Sequence, residues 1–90
     1  MFEKGMKVQC VDGTFKASTL RSGLHVPLAG WVYTVRNVEI DDEGEGLHLN
    51  EIFNPPVKVI GPYFGKEPVF RASRFIIHRP LQFITHRARP

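Results

Sequence analysis

"WVYTVRNVEI", residues 31–40, is the stretch that decides the fold. β-Branched and aromatic side chains crowd it, and these sit well on a pleated, half-buried surface, so it predicts a strand. One irregularity interrupts the pattern. Tyr33 and Val35 share a face, whereas Val38 and Ile40 have the opposite parity, so a regular strand would bury one pair and expose the other. A bulge near Arg36–Asn37 brings both pairs to the core and bends the strand, which is how small barrels turn a corner.

The flanking segments extend the same reading. "DDEGEG" (41–46) predicts a tight polar hairpin turn, and "LHLNEI" (47–52) returns as a strand with Leu47 and Leu49 inward and His48 and Asn50 outward. Upstream, "MKVQCV" (6–11) alternates: Met6, Val8 and Cys10 face one way, Lys7 and Gln9 the other, and Asp12–Gly13 ends the run. "TFKASTLRSGLHVPLAG" (14–30) keeps neither a period of two nor one of 3.6, and reads as a long excursion loop or loose hairpin anchored by Leu24, Val26 and Leu28. "FNPPVKVIGPYFGKEP" (53–68) has four prolines and two glycines, and prolines donate no backbone hydrogen bond, so an exposed loop or edge is expected. "VFRASRFIIH" (69–78) reads as a strand end, one 3₁₀ turn over Ala72–Arg74 and a closing strand over Phe75–Ile77. Phe70, Phe75 and Ile77 point inward there, and Arg71 and Arg74 lie on the wet side. No segment passes the helical spacing test for more than about two turns.

Ninety residues close one small core, and 42% hydrophobic with 23% charged residues is the composition of a folded globular chain. The net charge of +3 conceals an asymmetry. Residues 1–70 carry seven Lys/Arg against all nine Asp/Glu, a balance of −2, while residues 71–90 carry five Arg and no acid, a balance of +5. That basic end can meet phosphate, an acidic partner surface or the acidic stretch of the same chain. The single cysteine, Cys10, cannot form an internal disulfide, and no stretch reads as a signal peptide or membrane span, so the expected setting is cytoplasmic, reduced and away from the membrane.

Five short strands, a long first loop, a central hairpin and a one-turn 3₁₀ element before the last strand make up the layout of a small all-β, SH3-like barrel, here over residues 1–79. A basic and apolar tail follows over 80–90. The pieces "KGMKVQCVD" (4–12), "LAGWVYTVRNV" (28–38), "GLHLNEI" (46–52) and "EPVFRASRF" (67–75) resemble a family of small phage- and prophage-associated proteins with this plan. The resemblance implies a fold and a genomic setting; the family has no assigned chemistry to carry over. The chain departs from the pattern in its longer "NPPVKVIGPYFGK" loop and in the tail beyond Arg79.

No catalytic or cofactor motif emerges. In the acidic hairpin Asp41, Glu43, Glu45 and Gly46 take the first, third, fifth and sixth places of a calcium loop, but the twelfth is Ile52, which cannot ligate. His25, His48, His78 and His86 lack ligand spacing, Ser18, Ser22 and Ser73 lie in no nucleophile elbow, and Cys10 reads as a small core residue. A non-catalytic protein without cofactor or metal is expected. Two binding classes remain. Nucleic acid would be held by Arg71, Arg74, Arg79, Arg87 and Arg89, with Trp31, Tyr63 or Phe64 stacking bases. A protein partner or a second copy would meet Leu81, Phe83 and Ile84, three apolar residues that a core this small cannot all bury.

Overall fold

The computed structural model describes residues 1–56 and 66–79. Five strands form one antiparallel sheet: β1 (Lys7–Cys10), β2 (Val32–Asp41), β3 (Gly44–Leu49), β4 (Phe70–Arg71) and β5 (Phe75–Ile77), in the order β4-β3-β2-β1-β5. The two edge strands are neighbours in sequence, joined by the 3₁₀ turn Ala72–Arg74. Four Cα steps from Arg71 to Phe75 span at most about 14 Å, whereas the edges of a flat five-stranded sheet would stand about 19 Å apart. The sheet therefore curls, and its concave side becomes the core.

β2 does the bending. Its first half pairs with β1 (Lys7↔Thr34, Val8↔Tyr33, Gln9↔Val32), and its second half pairs with β3. The register slips between Val35↔Leu49 and Asn37↔His48, so Arg36 is the extra residue of a bulge at the handover, as the parity of 31–40 requires. Tyr33 and Val35 are buried, and Val38 packs against the core from beyond the bulge. Ile40, expected inward, is 74% exposed, because the hairpin outruns the core. The turn is also tighter than expected: Asp41 pairs with Gly44, leaving Asp42 and Glu43 as the only loop residues. Gly44 takes φ 108°, open only to glycine at little cost, and Asp41 Oδ1 accepts the Glu43 N–H at 2.9 Å.

Val8, Cys10, Tyr33, Val35, Leu47, Leu49, Phe70 and Phe75 form the core, with Phe2 covering one end. On the side of β3 away from Leu47 and Leu49, Val69 packs closely only because Gly46 lacks a Cβ; one placed there would lie 2.5 Å from Val69 Cγ2. The first loop contains a short helix, α1 (Ala17–Arg21), where irregular chain was expected. Phe15 pins the start of that loop: its ring meets Phe70 edge-on at 6.1 Å and lies 3.8 Å under the Arg74 guanidinium. Of the expected anchors, Val26 packs against the core, while Leu28 is 51% exposed and attaches through its backbone, donating its N–H to Tyr33 Oη at 2.8 Å. Ile77, also expected inward, is 41% exposed on the edge strand.

Leu47→Ala should cost about 2–5 kcal/mol by chemical denaturation, as deletion of a fully buried Leu side chain does. Gly46→Ala should cost about 1–3 kcal/mol by forcing β3 away from Val69.

Candidate functional site

A groove of about 630 Å³ opens where three segments meet: the outgoing limb of the first loop (His25, Val26, Leu28), the start of β2 (Trp31, Val32, Tyr33) and the chain after β3 (Glu51, Ile52, Phe53). Four of its apolar side chains face solvent. Phe53 is 71% exposed, Trp31 62%, Leu28 51% and Val32 39%. Large apolar side chains gathered at one concavity, rather than scattered singly, are the usual sign of an interaction site.

A polar frame behind the groove fixes its walls. The Asn54 side chain is wholly buried and grips the backbone of His25 twice: Oδ1 accepts the His25 N–H at 2.8 Å, and Nδ2 donates to the His25 carbonyl at 2.9 Å. The Asn54 N–H in turn donates to Glu67 Oε2 at 2.9 Å. That oxygen also accepts Arg36 Nη2 at 2.9 Å, while the same guanidinium donates from Nε to the Leu49 carbonyl and from Nη2 to the Ile52 carbonyl, each at 3.1 Å. The bulge aims Arg36 at this position. Arg36 also lies 5.3 Å from the Phe53 ring centroid, steadying the aromatic wall.

His48, expected on the outer face, is buried instead, with Nε2 3.1 Å from the Glu67 carbonyl. The alternation placed it correctly on the side of the strand opposite Leu47 and Leu49; residues leading into β4 cover that side. Every buried side-chain N or O atom among the described residues has a partner, so the frame is fully satisfied.

Two carboxyls of this region are held below the ordinary carboxylate range. Burial pushes Glu67 up, but the Arg36 guanidinium and the Asn54 N–H outweigh it. Burial likewise pushes Glu51 up, yet its hydrogen bonds from Thr34 prevail: the N–H at 2.8 Å on Oε1 and the hydroxyl at 2.9 Å on Oε2. Lys7 Nζ reaches the same Thr34 hydroxyl at 2.6 Å. Glu51 is thus an anion at the groove, and among the described residues no Lys or Arg lines it.

The arginines expected to grip nucleic acid divide. Arg71 binds the Asp41 carboxylate with both terminal nitrogens, at 2.9 and 2.8 Å, and this pairing holds Asp41 below its usual pKa. Arg74 donates to the carbonyls of Asp12 and Thr14 at 3.0 and 2.8 Å and covers Phe15. The two are committed to different parts of the chain, Arg71 to the hairpin and Arg74 to the turn after β1. Arg79 is exposed at the end of the described segment. Arg87, Arg89, Leu81, Phe83, Ile84, Tyr63 and Phe64 lie outside the described residues. Among the described residues, no three His, Cys, Asp or Glu side chains gather as a metal ion requires, and no helix is long and apolar enough to cross a membrane. Burial raises the Cys10 thiol pKa, in keeping with its reading as a core residue.

Asn54→Ala should cost about 1–3 kcal/mol by stranding the His25 amide, and should speed exchange of that amide more than those of Val8 or Leu47. The depressed Glu67 pKa fixes the sign of an acid effect. Its contribution is complete above the usual Glu value of 4.5 and is lost as pH falls through the lower folded value. Acid titration should therefore destabilise the native chain below about pH 4.5, and less steeply in Glu67→Gln. Among known protein families, curated proteins and solved structures, none matches this chain.

Proposed function

We propose that this chain is a non-catalytic protein-interaction or assembly module, an SH3-like barrel of the phage and prophage type working in a reduced, cytoplasmic setting. One observation carries the reading. Leu28, Trp31, Val32 and Phe53 converge as exposed apolar surface on one groove whose walls are tied by a hydrogen-bonded polar frame around the buried Asn54. Water-exposed apolar surface on a rigid support favours burial against a partner, because little conformational freedom remains to be lost on docking. The order of elements, five short strands with a long first loop, a central hairpin and a 3₁₀ turn before the last strand, is the layout expected of such a barrel and supports that part of the proposal.

Nucleic-acid binding is the second reading, favoured by the exposed Trp31 ring, on which a base could stack. The internal commitments of Arg71 and Arg74 and the anionic Glu51 weigh against it.

A photoreactive phenylalanine analogue at Phe53, compared with the same analogue at the exposed Ile40, tests the two readings in living cells. Protein adducts specific to position 53 are expected. Equal adduct patterns at both positions, or none, would overturn the module; nucleic-acid adducts at position 53 would select the second reading. Binding of that kind should also weaken steeply between about 50 and 200 mM salt.

A further inference from the structure

The chemistry of the groove narrows the partner, on the premise that the groove is the docking site. The floor and rims are apolar, from Val26, Leu28, Val32, Ile52 and the rings of Trp31 and Phe53, and the volume of about 630 Å³ accommodates a few large side chains. The formal charge among the lining residues comes from Glu51. Each of its oxygens accepts one hydrogen bond from Thr34, and a carboxylate oxygen has room for a second. Lys7 shares the Thr34 hydroxyl but does not line the groove. A phosphate or an acidic side chain would meet this carboxylate with no cation among the described lining residues to offset it. An arginine or lysine would find the opposite.

A second observation points the same way. The Phe53 ring already receives the Arg36 guanidinium at 5.3 Å, so an aromatic wall of this groove serves as a cation seat within the chain itself. Trp31, the larger and more strongly attracting ring type, is exposed on the same groove without such a guanidinium over it among the described contacts.

We infer that the groove takes an acid-free peptide segment in which large apolar residues are followed by arginine or lysine, the apolar side chains seated among Leu28, Val32 and Phe53 and the cation between Glu51 and Trp31. A segment of that composition occurs in the chain's own sequence: residues 80–90, "PLQFITHRARP", contain Leu81, Phe83 and Ile84, then Arg87 and Arg89, and no acid. It supplies a probe of the required chemistry.

The test titrates a synthetic peptide of residues 80–90 into isotope-labelled full-length chain carrying Leu81→Ser, Phe83→Ser and Ile84→Ser, so that the chain's own segment cannot compete. Saturable NMR shifts are expected at Leu28, Trp31 and Phe53 and not at Asp42 or Glu43. Glu51→Gln, which keeps an acceptor for Thr34, should weaken binding about tenfold, the scale of one lost charge-assisted hydrogen bond. The peptide with Arg87 and Arg89 replaced by glutamate should not saturate. No saturable groove shifts, equal binding of the glutamate peptide, equivalent shifts from a single-stranded oligonucleotide, or the same shifts appearing on concentration alone as a second copy docks would each overturn the inference. Protein adducts at Phe53 without peptide binding would refute the partner chemistry and leave the docking site standing; failure of both would remove the site.

Discussion

A single carboxylate oxygen, Oε2 of Glu67, receives the Asn54 N–H and the Arg36 guanidinium together, and the geometry of the groove hangs from it. Through Arg36 it holds the carbonyls of Leu49 and Ile52, and through Asn54 it holds the His25 backbone on the far side of the groove. Segments separated by up to 42 positions in sequence, His25 and Glu67, are thus joined through one residue. Such a frame is strong when complete and expensive when broken, since the buried Asn54 amide, left unpaired, forfeits its solvation with nothing in return. The same logic explains why a small chain can hold an apolar groove open to water: the walls are fixed by hydrogen bonds that their collapse onto each other would have to strain.

The architecture was largely legible from local pattern because its decisive feature is a parity conflict. Tyr33 and Val35 against Val38 can share a core only if one residue is inserted, and the bulge at Arg36 follows from period-two geometry alone. The 3₁₀ turn and closing strand were legible for a similar reason, since Phe70 and Phe75 must both reach the core across a short basic link. The groove was not. "NPP" announces an interruption of secondary structure, but nothing near Asn54 reveals that its amide will match the peptide of His25, nor that Glu67 will sit beneath it. Those partners are brought together by the curl of the sheet, which appears in no local window. Burial of His48 escaped for the same reason, since alternation assigns a side of the strand but not what covers it.

The basic end of the chain illustrates how composition misleads about availability. Arg71 and Arg74 belong to a run without acids, and in sequence they look like part of a cationic arm. Folding returns Arg71 to Asp41 in the acidic hairpin and Arg74 to the turn after β1, so part of the charge asymmetry along the chain is cancelled in space. Surface ion pairs of this kind contribute little stability one by one. Their effect here is positional, stapling β4 to the hairpin and the 3₁₀ turn to the first loop.

Trp31 is the single tryptophan of the chain, and it stands on the rim of the groove rather than in the core. Its intrinsic fluorescence is therefore a local instrument. Emission will follow the hydration of the groove while remaining nearly blind to the apolar interior around Leu47 and Val8, so a folded and an unfolded chain can look alike to it. Loss of structure is better followed through Tyr33, which is buried and bonded to Leu28. That division leaves the tryptophan signal for whatever comes to rest beside it.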